Sequence, residues 1–490
     1  IIMTDKTPRK TLYESISGPK PDKNERQPKS ESASPRFSKK EVFSEKEDSP
    51  EKDKGIEMRR AALAIIEAVF DHGQMLDVAQ QTESKALDAR DKAFLKQLTT
   101  LYFRKRGSLR WVMRQLMERA LPVKMIAVER LIELGIVQIL FMRTADHAAV
   151  DQTVRLIGGR RNTSERNMKG LANAVLRNAI RRRDELLIGV EAETLIDLPG
   201  WLRKRWVLKM GEDTVKAIAL SMRQDVSIDI SVKDPTDLKS LSEAMDADIL
   251  PTGSLRLKQA SDITQLEGFA EGRWWVQDMA AAIPATLFGP LKGKYVADLC
   301  AAPGGKTMQM ASLGAKVTAI DRSSARMPRL WENLERTQLT DMVDPLVKDI
   351  MEWKANKDIT HILLDAPCSA TGTIRRNPDG PWLKSVKQIR ELTALQSNML
   401  DHVFAQLPVG GRLIYCVCSL EDEEGPDQIA AFLERTPDAK LIPIIGDEVG
   451  GMDELCSEKG YLQCRPDFLS EQGGMDGFFA ARIDKISSSN

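Results

Sequence analysis

The chain has 490 residues, 42% of them hydrophobic, and its 71 Lys and Arg residues balance 71 Asp and Glu residues. This length predicts two or three domains, and a net charge of zero excludes a global field that attracts nucleic acid, so any RNA-binding surface must be local. No apolar run approaches the ~20 residues of a membrane span. The six cysteines show no spacing typical of a disulfide framework, which fits a reducing cytoplasm. The four histidines are scattered along the chain, which argues against a metal site.

The first residues differ in composition from those that follow. Residues 1–54 mix Lys, Glu, Ser and Pro with almost no apolar periodicity, so we predict a disordered charged tail that cannot offset the entropy of ordering. Residues 55–188 carry apolar residues at helical spacing and almost no strand signal, which predicts an all-helical domain. Its helices are expected at 60–70, 91–103, 109–118, 124–142, 146–158 and 167–180.

The end of this helical region carries an excess of positive charge. Between residues 155 and 183 the only acid is Glu165. The segment is either an ordinary solvated helix face or a phosphate-binding surface, and the scarcity of acids favours an RNA-binding surface. The candidate RNA-binding residues are Arg155, Arg160, Arg161, Arg166, Lys169, Arg177, Arg181, Arg182 and Arg183.

The rest of the chain contains strands. Residues 189–272 mix short helices and strands, which predicts a small α+β connector. From 273 to 486 strands and helices alternate, and this pattern predicts a mainly parallel sheet with helices on both faces, a Rossmann-like α/β domain. We expect strands at 295–300, 316–320, 345–348, 361–365, 412–417 and 477–482, the last of which can pair antiparallel, and helices at 304–313, 323–337 and 386–406.

A glycine-containing turn follows the first strand of this domain. Gly304 and Gly305 allow the backbone to approach a ligand closely, and the following helix presents free N–H groups. A phosphate-binding P-loop would need glycine where Cys300 stands, and a dinucleotide fingerprint would need separated glycines. S-adenosyl-L-methionine, which carries a ribose but no phosphate, remains, with a purely structural turn as the alternative. The candidate cofactor-binding residues of the turn are Cys300, Ala301, Ala302, Pro303, Gly304, Gly305 and Lys306.

Three acids end or follow successive predicted strands: Asp321, Asp349 and Asp365. A single aspartate at a strand end is usually a helix cap. Ligands in open α/β sheets bind at the carboxyl ends of the strands, so three acids in order could contact a ribose, an adenine amine and a reacting base in turn.

Two cysteines, Cys368 and Cys418, follow neighbouring predicted strands, so both thiols can face one pocket. Addition of a thiolate to C6 of cytosine makes C5 nucleophilic, and a carboxylic acid near N3, for which Asp365 is the candidate, stabilises the adduct. A base then removes the C5 proton and the thiol is eliminated. We expect Cys416 to face away from this pocket. The remaining cysteines are interpreted as inert core thiols: Cys300, Cys416, Cys456 and Cys464.

Residues from about 273 to 484 resemble the Sun family of RNA 5-methylcytosine methyltransferases, whose catalytic domain is a class I S-adenosylmethionine-dependent methyltransferase. The matching segments are 277–281, 300–307, 365–372, 374–379 and 415–419 with Glu423 and Glu424. The helical region, most clearly at 171–177, is similar to the NusB-type domain of the ribosomal member of that family. The resemblance covers the chain from about residue 55 to its end.

The resemblance implies roles for the site residues. It implies that Cys418 is the nucleophile and that Cys368 assists product release, whereas DNA cytosine methyltransferases attack with the Pro-Cys thiol. It also implies that the turn and the three strand-end acids surround the cofactor. Three positions depart from the family pattern: Val417 replaces threonine, Gly425 stands where asparagine is usual, and Asn377 where histidine is common.

The implied substrate is a cytidine of small-subunit (16S) ribosomal RNA. Because the target base must leave its stack to reach a thiol, we expect naked or partly assembled RNA as the substrate of a monomeric cytoplasmic enzyme. Two alternatives stay open: the same chemistry on transfer RNA or another RNA, and a non-catalytic RNA-binding factor for ribosome assembly.

Overall fold

The computed structural model describes residues 50–142, 144–259 and 262–487, with side chains from Gly55 onward. The predicted tail, residues 1–54, lies mostly outside these ranges, and its last residues form the beginning of a helix that starts at Pro50. Within the described ranges, the helices are all too short or too polar to cross a membrane.

The N-terminal part is helical because its apolar residues recur every three or four positions and are buried together. In chain order its helices are α1 (Pro50–His72), α2 (Leu76–Glu83), α3 (Ala89–Arg104), α4 (Arg106–Leu116), α5 (Ile126–Leu140), α6 (Asp146–Gly158), α7 (Thr163–Arg166), α8 (Lys169–Arg181) and α9 (Arg183–Ala192). Helix α5 is buried along nearly its whole length and contacts α1, α6 and α8. The predicted all-helical domain is confirmed.

A helix pair and a small sheet follow. The elements are α10 (Gly200–Met210), α11 (Glu212–Ser221), β1 (Ile228–Val232), α12 (Leu238–Met245), β2 (Ala247–Ile249), β3 (Leu255–Leu257) and β4 (Trp274–Val276). Within the described residues, β2, β3, β1 and β4 lie side by side in that order, each pair antiparallel. Leu202 and Trp206 of α10 share an apolar cluster with Ile374 and Leu420, so this helix packs on the loops that follow the two candidate thiols.

The C-terminal part is a doubly wound α/β domain. Its elements are α13 (Met279–Thr286), β5 (Tyr295–Leu299), α14 (Gly305–Ser312), β6 (Lys316–Asp321), α15 (Met327–Arg336), β7 (Val343–Val347), β8 (Ile359–Asp365), α16 (Gly380–Leu383), α17 (Val386–Ala405), β9 (Arg412–Val417), α18 (Pro426–Arg435), β10 (Ala439–Leu441), β11 (Leu462–Cys464) and β12 (Phe478–Lys485).

The strand order places the candidate site. Among the described residues the sheet runs β10-β12-β9-β8-β5-β6-β7, with β11 paired to β12. Strands β5 to β9 pair in parallel, and β12 lies antiparallel to β9, so the predicted fold class is confirmed. The chain adds β6 and β7 on one side of β5 and then β8 and β9 on the other. A ligand is expected at the carboxyl ends of the strands around this reversal.

Candidate active site

The turn between β5 and α14 is shaped for close contact with a ligand. Gly304 has a φ of 104°, and a Cβ at this position would lie 3.2 Å from the Leu330 side chain. The Gly304 N–H donates to the Ala301 carbonyl at 2.8 Å, and the Ala301 N–H donates to Ile320 at 3.0 Å. The turn is therefore fixed to β6, and only glycine fits position 304 without strain.

Asp321 ends β6 and is tied to this turn. Its carboxylate accepts hydrogen bonds from the N–H groups of Ala302 at 3.2 Å and Ser323 at 2.8 Å. The Arg326 guanidinium lies 3.3 Å from Asp321, and the Arg326 side chain is 54% exposed whereas that of Asp321 is 3% exposed. Asp349, after β7, is exposed and accepts a hydrogen bond from the Met351 N–H at 2.9 Å.

Asp365 ends β8 and pairs with the lysine of the turn. Lys306 Nζ donates to Asp365 Oδ2 at 2.9 Å and lies 4.9 Å from the centre of the Phe478 ring. Burial disfavours the ammonium, but the charge of Asp365, the neighbouring Cys416 and Asp298, and the hydrogen bond to Asp365 together outweigh it and raise the pKa of Lys306. The lysine charge is thus already neutralised by a carboxylate of the site.

Asp298, inside β5, is a buried carboxyl beneath the turn. Thr307 Oγ1 donates to its Oδ2, while its Oδ1 has no hydrogen-bond partner among the described residues. Burial raises the pKa of Asp298 to about 7. No group of three or more His, Cys, Asp or Glu residues within the described part of the chain is arranged to hold a metal ion.

The structure brings the two candidate thiols together. Cys368 Sγ lies 3.5 Å from Cys418 Sγ, and both side chains are partly exposed. The Gly372 N–H donates to the Cys418 carbonyl at 3.0 Å, which joins the two loops directly. The hydrogen bond with Cys418, together with burial, raises the pKa of Cys368 well above its ordinary value. Cys368 therefore stays a protonated thiol near neutral pH, able to donate to the neighbouring sulfur.

The expectation that Cys416 faces away from Cys418 is wrong. Side chains two residues apart on a strand point to the same face, and both cysteines pack on the same apolar cluster. Cys416 Sγ lies 3.7 Å from Asp365 Oδ1. Burial and the charge of Asp365 raise the pKa of Cys416 well above its ordinary value, and similar causes raise the pKa of Cys300 to about 12. Both are poor nucleophiles at neutral pH.

The three departures from the family pattern have local explanations. Val417 is fully buried in an apolar cluster, where its methyl groups leave no hydroxyl unsatisfied. A Cβ on Gly425 would lie 3.0 Å from the Phe479 ring, so the glycine leaves room for this ring. Asn377 Nδ2 donates to Thr373 Oγ1 at 3.1 Å.

Two residues near the thiols were given no role in the interpretation of the sequence. Glu424 is fully buried and accepts hydrogen bonds from Ser369 and Ser419, the residues that follow the two cysteines. Arg205 of α10 forms an ion pair with Glu421, whose Oε2 lies 2.9 Å from Arg205 Nη2. Glu421 follows Cys418 by three residues. The sequence does carry a signal for Glu424, because a serine follows each of the two cysteines and could bind a shared acceptor. No motif around Arg205 indicates its partner.

The structure divides the candidate RNA-binding residues, which lie along α6 to α9. Those with exposed side chains are Arg161, Arg166, Lys169, Arg177 and Arg181. Arg155 is half-buried, and three further ones form ion pairs: Arg160 with Glu165, Arg182 with Glu185, and Arg183 with Asp146. The exposed residues are the better candidates for phosphate contacts.

Comparisons with known proteins match both parts of the chain. The profile of the family described as 16S rRNA methyltransferase RsmB/F matches residues 285–484, and that of the NusB family matches residues 56–181. Ribosomal RNA small subunit methyltransferase B of Cronobacter sakazakii is 35% identical over 447 residues, which cover 88% of this chain and 99% of that protein.

Solved structures share the fold. The crystal structure of PH0851 superposes with a TM-score of 0.67 at 23% identity, covering 88% of this chain and 98% of its own. A methyltransferase homolog protein from Pyrococcus horikoshii superposes with a TM-score of 0.50 at 25% identity, covering 60% of this chain and 98% of its own.

Proposed function

The chain belongs to the 16S rRNA methyltransferase RsmB/F family, and we propose that it transfers a methyl group from S-adenosylmethionine to C5 of a cytidine in small-subunit ribosomal RNA. The observation that carries the proposed chemistry is the pair of thiols: Cys368 and Cys418 lie 3.5 Å apart, beside the carboxyl ends of β8 and β9. This is the arrangement that a covalent attack followed by assisted release requires.

The residues around the turn fit S-adenosylmethionine. Asp321 and Asp349 can accept hydrogen bonds from a ribose diol and an amine, and Asp298 Oδ1 is a buried acceptor without a partner among the described residues. Lys306 is neutralised by Asp365, so the turn does not present this charge to a phosphate. Arg326 is half-exposed and also donates to the Ala302 carbonyl, so it can stay on the turn when a diol takes its place at Asp321. When bound, the cofactor supplies an electrophilic methyl group.

In the proposed attack, the Cys418 thiolate forms a bond to C6 of the target cytosine, and the displaced electrons make C5 nucleophilic. C5 then forms a bond to the methyl carbon, the bond from that carbon to the sulfonium sulfur breaks, and the sulfur keeps the electron pair. Asp365, whose side chain is 31% exposed, would stabilise the adduct as a carboxylic acid, whose O–H donates to N3 as negative charge develops there. Both Asp365 oxygens have a donor in the free protein: Lys306 Nζ donates to Oδ2 at 2.9 Å and Cys416 Sγ to Oδ1 at 3.7 Å. The base would replace the thiol, which is the weaker donor.

In the proposed release, a base removes the C5 proton, the C6–S bond breaks, and Cys418 departs as a thiolate from the 5-methylcytidine product. Cys368 is held as a thiol, and its S–H can hydrogen-bond to the departing sulfur 3.5 Å away. Stabilising the leaving thiolate speeds the elimination. Cys418 and Cys368 thus have different roles although both are thiols.

The proposed substrate surface is the exposed basic set on α7, on α8 and in the loop before α7, with naked or partly assembled RNA as its ligand. Guanidinium and ammonium groups that contact phosphates do not distinguish one base from another. These residues would therefore position the RNA, and the active site would select the target base. We propose that the enzyme acts as a monomer in the cytoplasm, where such RNA is found.

The test is incubation with methyl-labelled S-adenosylmethionine and either protein-free small-subunit rRNA or bulk transfer RNA. Label in the rRNA, recovered as 5-methylcytidine, is the expected result. Label in the transfer RNA alone would show that the same chemistry acts on transfer RNA and that the proposed substrate is wrong. No label in any RNA, with intact cofactor binding, would overturn the proposal in favour of a non-catalytic assembly factor.

A further inference from the structure

A buried carboxylate lies behind the two thiols. Glu424 has no exposed surface, and no ion pair involves it among the described residues. A buried charge without a counter-ion is costly unless several donors surround it. Here the donors are the Ser369 N–H at 2.8 Å, the Ser369 hydroxyl, the Ser419 hydroxyl at 2.5 Å and Gln396 Nε2 at 3.1 Å.

Three of these four donors come from the two thiol loops, and Gln396 lies on α17. Ser369 directly follows Cys368 and Ser419 directly follows Cys418, and their hydroxyls lie 3.1 Å apart. One carboxylate therefore holds the residue next to each thiol. The backbone of Glu424 is itself fixed, because the Tyr415 hydroxyl donates to its carbonyl at 2.7 Å. A shift of Glu424 would move both thiols relative to each other.

We propose that Glu424 is a positioning residue that sets the spacing between Cys368 and Cys418 through Ser369 and Ser419. The inference rests on the proposed function, since it assigns one sulfur to attack and the other to release. Displacement of a reacting group by ~1 Å can reduce a rate ~100-fold. The pKa of Cys368 is raised by the hydrogen bond to Cys418, by burial, by the charge of Cys418 and then by that of Glu424.

Three variants separate positioning from folding. Glu424→Ala removes the contacts, Glu424→Gln keeps the shape but loses the charge, and Ser369→Ala with Ser419→Ala removes the hydroxyls while leaving the carboxylate. The matched control is Glu434→Gln, an exposed carboxylate on α18. If Glu424→Ala does not fold, as judged by circular dichroism and thermal unfolding, the other two variants carry the test.

The first measurement needs neither RNA nor cofactor. Oxidised glutathione should close a disulfide between Cys368 and Cys418 in the wild type, since their sulfurs are adjacent: two thiols lose their protons and two electrons, and the glutathione disulfide is reduced to two thiols. The rate, followed by mass spectrometry of peptides, should fall at least about tenfold in Glu424→Ala and be unchanged in the control.

The second measurement is steady-state methylation of rRNA. We expect kcat to fall about 10- to 100-fold in Glu424→Ala while KM for RNA and Kd for the cofactor change less than about threefold. Folded variants with wild-type disulfide and methylation rates would overturn the inference, as would a fall in kcat that only follows the unfolded fraction. If the wild type methylates no RNA while the disulfide rates differ as expected, the proposed function fails and the positioning role of Glu424 stands.

Discussion

Arg205→Met tests whether α10 holds the segment that follows Cys418. Arg205 Nε donates to Glu421 Oε2 at 2.9 Å, and its Nη2 donates to Glu423 Oε1 at 2.7 Å. Methionine keeps the aliphatic stem of the side chain and removes only the guanidinium. In the wild type, Arg205 and Trp206 of α10 both donate to the buried Glu421 carboxylate. In the variant only Trp206 Nε1, at 2.8 Å, would remain of these two donors.

The expected magnitude follows from burial. Removing one partner of a fully buried ion pair costs about 3–5 kcal/mol, whereas exposed pairs contribute less than about 1 kcal/mol. The Glu421 side chain is 2% exposed but that of Arg205 is 27% exposed, so water can reach part of the gap. We expect the free energy of unfolding to fall by about 2 kcal/mol. Because the loop begins at the nucleophile, kcat should fall as well.

The assay is a double-mutant cycle with Glu421→Gln, measured by denaturant unfolding and by rRNA methylation. Glutamine needs no cation, so the two substitutions together should cost less than their sum, with a coupling of about 1–2 kcal/mol. Lys216→Met, which breaks an exposed pair with Glu212 on α11, is the matched control and should change stability little. Strict additivity of Arg205→Met and Glu421→Gln in both assays would refute the reasoning.

Three further predictions concern the cofactor, pH and RNA. Asp321→Asn should weaken S-adenosylmethionine binding about 10- to 100-fold by calorimetry, because a charged acceptor is lost. Burial raises the pKa of Asp298 from its ordinary value of 3.8 to about 7, so the wild type loses stability as pH rises from about 4 to 7. Asp298→Asn should remove up to about 3 kcal/mol of the decline between pH 5 and 8. Charge reversal of Arg161, Arg177 and Arg181 to Glu should weaken RNA binding and flatten its salt dependence.

These predictions have distinct controls. Asp321→Asn should leave RNA affinity unchanged, and loss of both affinities would indicate misfolding. An unfolding free energy of Asp298→Asn that runs parallel to the wild type across pH would contradict the raised pKa. Lys459→Glu, an exposed substitution outside the basic set, should leave RNA binding nearly unchanged. If Lys459→Glu, which changes the charge by two where the triple reversal changes it by six, had about a third of the effect on the binding free energy, only total charge would matter.

The sequence predicted the elements that local pattern controls. The strand at 412–417 has the predicted bounds, and the other predicted strands of the domain agree within a few residues, because short continuous apolar runs reflect burial on both faces of a sheet. The antiparallel last strand and the family resemblance are likewise confirmed. The loop after β5 was recognisable because its adjacent glycines lie between a predicted strand and a predicted helix.

What the sequence did not predict depends on contacts between distant segments. Arg205 meets Glu421 across 216 positions of the chain, and no local pattern encodes that distance. Glu424 appeared in the sequence only as part of a motif. Its role depends on its hydrogen bonds with Ser369 and Ser419, which are distant from each other in the sequence. The error over Cys416 had a different origin. Residues two positions apart on a strand lie on the same face, so the alternation of Cys416 and Cys418 should have predicted the same face for both.

The central claim is that Cys418 attacks and Cys368 releases. The most direct test mixes each alanine variant with S-adenosylmethionine and small-subunit rRNA and measures protein–RNA adduct that survives denaturation. We expect Cys368→Ala to accumulate the adduct and Cys418→Ala to form neither adduct nor 5-methylcytidine. Adduct in Cys418→Ala and none in Cys368→Ala would contradict the account and assign the attack to Cys368.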